Sequence, residues 1–308
     1  METRTILDDR LVRYADLKPC YNAFIDTRTP GSEAKENFTI IGPGVSENPD
    51  QHVHITEPHG FNIGGARQPP GCVNSQHSHD TAEVFLVHSG TWRFDMGEHG
   101  DDARVTLSEG DIISIPTGIF RGFTNVGDDI GYLFAVLGED DPGRVTWAPN
   151  VFDMAKDYGL VLLETGRLVD TKKGESVPEG ARVMPAPGPK ELEAMNTVSQ
   201  EEAEHLVWRA DRDASGTTDT IIGPGGAFDW PHGFTVVRHG PRHRSQTYTQ
   251  IRPNARVLFI QDGVAKLTLN GDMVPLSAGD TFSVPASCEH RIDADDGAVY
   301  LIVDRMVT

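Results

Sequence analysis

Cysteine is scarce in this chain: Cys20, Cys72 and Cys288 are the only three among 308 residues, odd in number and far apart. Such a set does not form a disulfide framework, and reduced thiols in a cytoplasmic protein are the expectation. Positive charge is also in short supply. Against 46 acidic residues stand 27 lysines and arginines, a formal net charge of −19. That field repels polyanions, which excludes nucleic acid and an anionic membrane surface as expected partners. No apolar run approaches the ~20 residues needed to span a bilayer. Residues 1–10 mix charges of both signs and lack an apolar core, so no secretory signal is expected there. A small-molecule substrate is the expected partner. An anionic one would need a local basic pocket working against the global charge.

Turn formers, by contrast, are plentiful. The 32 glycines and 20 prolines point to short strands rather than long helices, and 308 residues suffice for two ordinary domains. The chain also repeats itself. Thr39-Ile-Ile-Gly-Pro-Gly44 recurs as Thr220-Ile-Ile-Gly-Pro-Gly225, and His59-Gly-Phe61 as His232-Gly-Phe234. Gly60 and Gly90 lie 30 positions apart, as do Gly233 and Gly263. Gly110-Asp-Ile-Ile-Ser-Ile-Pro116 then matches Gly279-Asp-Thr-Phe-Ser-Val-Pro285. Two copies of one barrel follow, over residues 1–150 and 216–308, with a linker over 151–215 carrying short helices. Trp92, Phe94 and Met96 alternate with Arg93 and Asp95, and Ala265, Leu267 and Leu269 with polar neighbours, as half-buried strands do. Asn270-Gly271 signals a type I′ hairpin. In the linker, Asn150 is expected to cap a helix over 151–158, and Ser199-Gln-Glu-Glu202 is a capping box opening another.

The most informative stretch is Gly71-Cys-Val-Asn-Ser-Gln-His-Ser-His-Asp-Thr-Ala-Glu83. His77 and His79 share one face of a strand, because side chains repeat every two residues. Glu83 has the same parity, yet a straight strand would carry it about 20 Å from His77. One cation can meet all three only if the chain turns near Asp80-Thr81 and returns on a neighbouring strand. Two imidazoles and a carboxylate suit a divalent first-row metal and leave coordination positions open.

Gly71-x5-His77-x-His79-x3-Glu83-x6-Gly90 resembles the first cupin motif at every defined position. Gly110, Pro116, Gly118 and Asn125 match the second motif, with Arg121 standing at its histidine position. The chain is thereby identified as a member of the cupin superfamily, a bicupin. That resemblance implies an all-β fold of two double-stranded β-helix (jelly-roll) barrels. It also implies one divalent metal ion per chain on His77, His79 and Glu83, with Fe(II) expected and Mn, Ni or Zn compatible. Bicupins include aromatic-ring-cleaving and flavonol dioxygenases, so a metal-dependent dioxygenase acting on a hydroxylated or enolic, possibly carboxylated substrate is the expected activity. A Lewis-acid isomerase, lyase or decarboxylase and a non-catalytic metabolite-binding module are the alternatives. Arg121 is expected to neutralise substrate charge as a catalytic residue, and Phe85 and Val87 to line the substrate pocket. Barrel edges commonly pair, so a homodimer is expected.

Adding 173 to the ligand numbers gives Gln250, Arg252 and Arg256 in the second half, with His290 in the slot of Arg121. Arginine has no lone pair to offer a cation, so the second barrel is expected to be metal-free, a scaffold or an anion pocket. Features present in both halves, such as His59 and His232, are expected to serve barrel geometry. His52 and His54 lack a carboxylate at a useful interval, His88 and His99 are expected to face solvent, and Cys72 to be an inert buried thiol.

Overall fold

The computed structural model describes residues 7–243, 245–249 and 252–306, whose strands pair almost entirely antiparallel. Alternation decides which side chains build the walls. In strand Trp92–Met96, Trp92, Phe94 and Met96 are fully buried while Arg93 and Asp95 reach part-way to solvent. Strand Val264–Leu269 repeats the pattern, with Ala265, Leu267 and Leu269 inside. The following hairpin turns at Asn270 and Gly271, whose φ angles of 53° and 90° are the left-handed pair that a type I′ turn needs.

In the first barrel, one sheet runs Val145–Trp147, Val73–His79, Arg121–Asn125, Trp92–Met96, Ala103–Leu107. The sheet opposite runs Ile112–Ile115, Glu83–Ser89, Gly131–Gly138, Phe61–Gln68, Glu36–Ile41, with Val53–Ile55 added in parallel at its edge. The second barrel repeats this plan: Thr281–Val284, Arg256–Asp262, Val299–Arg305, Phe234–His239 and Thr218–Ile222 lie opposite Ser245–Tyr248, His290–Ala294, Val264–Leu269 and Asp272–Ser277. The fold is all-β, two jelly-roll barrels joined by short helices.

The barrels exchange their leading arms. Leu11–Val12 precedes the first barrel but pairs with Thr281 and Phe282 of the second. Val207–Trp208 precedes the second but pairs with Ile112 and Ile113 of the first. The expected boundaries at 150 and 215 therefore divide the chain where the sheets do not. Each arm is pinned alike: Arg13 Nη1 meets Asp280 at 2.6 Å and Arg209 Nη1 meets Asp111 at 3.2 Å. The backbone N–H of Tyr14 donates to Asp280 at 3.1 Å, and that of Ala210 to Asp111 at 2.9 Å. Gly279 and Gly110 lie beneath these arms, where an added Cβ would stand 2.8 Å from Tyr14 and 2.9 Å from Ala210.

Between the barrels lies one continuous core. It includes Phe134 and Phe259, whose rings stack at 4.1 Å. The repeated histidines serve this junction: His59 Nε2 lies 2.8 Å from Ser283 Oγ, and His232 Nε2 lies 2.7 Å from Ser114 Oγ. Each serine comes from the Gly-Asp-x-x-Ser-x-Pro segment of the opposite barrel. His88, expected in solvent, is half-buried here against Phe259 and Tyr132, whereas His99 is exposed.

The linker helix differs slightly from expectation. It spans Pro149–Asp157 with Ala148 at the N-cap, because Pro149 at the first helical position supplies the fixed φ and needs no donor. Asn150 therefore lies inside it. Ser199 does cap Gln200–His205, accepting from the Glu202 N–H, while the Glu202 carboxylate accepts from Ser199. Among the described residues no helix is long and apolar enough to cross a membrane.

Candidate metal centre

Strand Val73–His79 carries His77 and His79 on its inner face, their ring centroids 5.1 Å apart. The chain then turns over residues 80–82, and Glu83 opens strand Glu83–Ser89 of the opposite sheet rather than a hydrogen-bonded neighbour. The corner thus brings one ligand-type atom of each residue within 4.8 Å of the others. All three side chains are buried, and no other group of three or more His, Cys, Asp or Glu among the described residues converges in this way.

The state of each donor follows from its neighbours. His77 Nδ1 lies 2.7 Å from the Ser75 carbonyl, so it carries the ring proton and leaves Nε2 as the lone pair. His79 Nε2 faces Glu83 Oε1 at 3.5 Å. Burial holds both imidazoles well below the usual histidine pKa, and the Arg121 charge pushes the same way, so both are neutral, as ligands must be. Burial raises the Glu83 pKa, and Arg121 opposes that rise through charge and hydrogen bonding.

Arg121 is 1% exposed and sits across the register from His77. Its Nη2 pairs with Glu83 Oε2, and its Nη1 donates to the His77 carbonyl at 3.2 Å. The guanidinium spends Nη1 and Nη2 on the protein and does not line the cavity, whereas the sequence led to the expectation that it meets a substrate anion. It holds one carboxylate oxygen and leaves Oε1 turned toward His79. A neutral His, a second neutral His and one free carboxylate oxygen fit a divalent cation of the first transition row.

A cavity of about 80 Å³ adjoins these donors. Phe85 lines it, packed against Phe94 and Phe123. Val87 does not; it is fully buried in the core around Trp92 and Phe94. Trp147, which sequence reading missed, pairs in register with His77 and packs its ring 5.1 Å from that imidazole. Its indole N–H donates to Glu47 at 2.6 Å, while the Ile25 N–H donates to the other carboxyl oxygen at 2.6 Å. Burial pushes Glu47 up to about 8, against the pull of those two donors.

The matching place in the second barrel is filled from within. Arg256 grips Asp304 with Nε at 2.9 Å and Nη2 at 2.6 Å, and Arg252 adds a contact at 2.8 Å. One carboxylate, that of Asp304, thus faces both guanidiniums, and Arg252 remains 46% exposed. Glu83 pairs in register with Leu137 in the first barrel, and Arg256 with Asp304 in the second. His290 lies 3.3 Å from Arg256 and stacks on Tyr248, and Gln250 is outside the described residues. His52 and His54 contact each other at the parallel edge strand, with His54 Nε2 accepting from the Lys18 N–H. Cys72 is buried, which raises its thiol pKa.

A cupin-domain family model matches residues 66–137 and again 241–304. Germin-like protein subfamily 1 member 10 of Arabidopsis thaliana is 34% identical over 83 residues, 26% of this chain and 37% of that protein. An acireductone dioxygenase of Phaeosphaeria nodorum is 36% identical over 76 residues, 24% of this chain and 41% of the enzyme. The chain thus spans about two fifths of the length of these curated relatives. Among solved structures, oxalate decarboxylase from Bacillus subtilis superposes with a TM-score of 0.54 at 13% identity, covering 96% of this chain and 76% of that one. The Ylba protein of E. coli superposes at 0.55 and 13% identity, covering 96% and 90%. At such identity the likeness is one of fold.

Proposed function

Because the chain is a bicupin of the cupin superfamily, we propose that its first barrel holds one divalent cation, iron(II) foremost, and works as a dioxygenase on a hydroxylated or enolic small molecule. The donors are His77 Nε2, His79 Nε2 and the Oε1 of Glu83. The observation that carries this reading is their convergence in a buried, neutral-histidine cluster beside a cavity. The names of the curated relatives, several of them acireductone dioxygenases, lend support. The chemistry such an ion supplies is Lewis acidity toward a hydroxyl or enol oxygen and, for iron(II), electrons for dioxygen.

The chain's own residues do the rest. The Ser75 carbonyl fixes the His77 tautomer and so presents Nε2 as the donor. Arg121 acts as a positioning residue through Glu83: its charge favours the ionised carboxylate against the effect of burial, and its Nη2 sets the orientation of Oε1. Phe85, Phe123 and Trp147 keep bulk water from the donors, which strengthens every electrostatic interaction within. Oxygen-electrode assays of iron-loaded protein with enolic and catecholic substrates test the proposal. Stoichiometric oxygen uptake that His79→Ala abolishes is expected. Turnover without oxygen uptake would move the enzyme to the Lewis-acid class.

A further inference from the structure

Resting on that metal reading, we propose that the cavity takes a flat, mainly aromatic molecule whose charge lies wholly at the metal-facing end. Molecules with a second charge on the ring body, and small dicarboxylates without such a body, are excluded.

Three observations converge on this class. First, the walls are aromatic: Phe24, Phe38, Phe85, Phe123 and Trp147 all face the space. Second, one wall is bare. Gly64 and Ala135 are partners in register on adjacent strands, with Ala66 two residues further along, so the sheet presents backbone and methyls over which a ring can lie.

Third, no lysine or arginine lines the cavity. Lys35 lies behind the wall, fully buried and paired with Asp26, and Arg121 is bound to Glu83. Positive charge is therefore available only where the cation sits. An anionic group on the ring body would lie among aromatic walls without a counter-charge, a placement that costs several kcal/mol or more. Uncharged polar groups are welcome there. Asn37 and Asn74 line the cavity as uncharged amides. These amides bring nothing to balance a charge.

The test uses the zinc-loaded full chain, because zinc is redox-inert and leaves the probes intact. Three probes are titrated by calorimetry: 2,3-dihydroxynaphthalene, its 6-sulfonate, and oxalate. Zinc content is measured on the same sample. The expected result is about one zinc per chain, with the parent naphthalenediol binding at least tenfold tighter than either the sulfonate or oxalate. Ala135→Leu, which fills the bare wall, should retain zinc and lose the naphthalenediol at least tenfold. If zinc is bound but the sulfonate or oxalate binds as tightly as the parent, this inference is overturned while the metal reading stands. If no zinc is retained, the metal reading itself fails. The probe series on the unaltered protein decides the matter even if Ala135→Leu does not fold.

Discussion

Arg121→Leu isolates what the guanidinium does. In the native chain Arg121 and Glu83 form a buried pair, the arginine side chain 2% and the glutamate 6% exposed. Removing one member leaves a carboxylate without its counter-charge, which costs about 3–5 kcal/mol in comparable buried pairs. The arginine stem also packs in the wall, and leucine replaces most of that apolar surface, so the electrostatic loss dominates. For a chain of this size the deficit corresponds to a fall of roughly 6–10 °C in Tm. The assay is thermal unfolding of both proteins in EDTA and again in excess zinc. A dication at the donors replaces the lost positive charge, so zinc should recover more stability in Arg121→Leu than in the native protein, at least halving the deficit. A variant as stable as native in EDTA would refute the pairing argument. One that gains no more from zinc than the native chain would refute the placement of the cation beside Glu83.

Three further outcomes follow from the same geometry. Arg121→His supplies a fourth donor, the third nitrogen, and removes a fixed charge, so zinc affinity should rise at least tenfold; isothermal titration with a chelator competitor measures it. Glu47 has its folded pKa raised from 4.5 to about 8, so between those values the unfolded chain has lost a proton that the folded chain keeps. Its stabilising contribution is complete below 4.5 and fades as pH rises through 8, by roughly 5 kcal/mol in all. Glu47→Gln should flatten that slope in denaturant titrations at pH 5 and 8, and an unchanged slope would assign it to other groups. Phe134→Ala should cost about 3–5 kcal/mol and preserve a single calorimetric transition, because Phe134 stacks on Phe259 within a core shared by both barrels; two separated transitions would contradict a shared core.

The site was legible in the sequence because its determinants are local. His77, His79 and Glu83 lie within seven residues, and strand parity plus one corner fix their convergence. The barrels were legible for a similar reason: the internal repeat and the alternation at Trp92–Met96 and Val264–Leu269 need no partner strand to be read. What escaped depends on contacts far apart in sequence. The fate of Arg121 is decided 38 residues away, at Glu83. Asp304 neutralises Arg256 from a strand 48 residues on. Trp147 reaches His77 only because its strand closes the sheet edge. The repeated His59 and His232 were expected to serve barrel geometry, but their partners Ser283 and Ser114 belong to the opposite barrels, and no single-barrel pattern names them. His88 looked solvent-facing at a strand end for the same reason: the surface covering it comes from Phe259. The arm exchange is the extreme case, since a two-residue strand pairs with a sheet some 270 positions away.

The central claim is that a divalent cation sits on three donors of the first barrel. Elemental analysis of the purified full chain, alongside His77→Ala prepared identically, tests it most directly. The account predicts close to one equivalent of a first-row metal in the native protein and a loss of at least tenfold in the variant. Equal metal in the two samples, or none in the native protein after incubation with iron(II), manganese(II) or zinc(II), would contradict it.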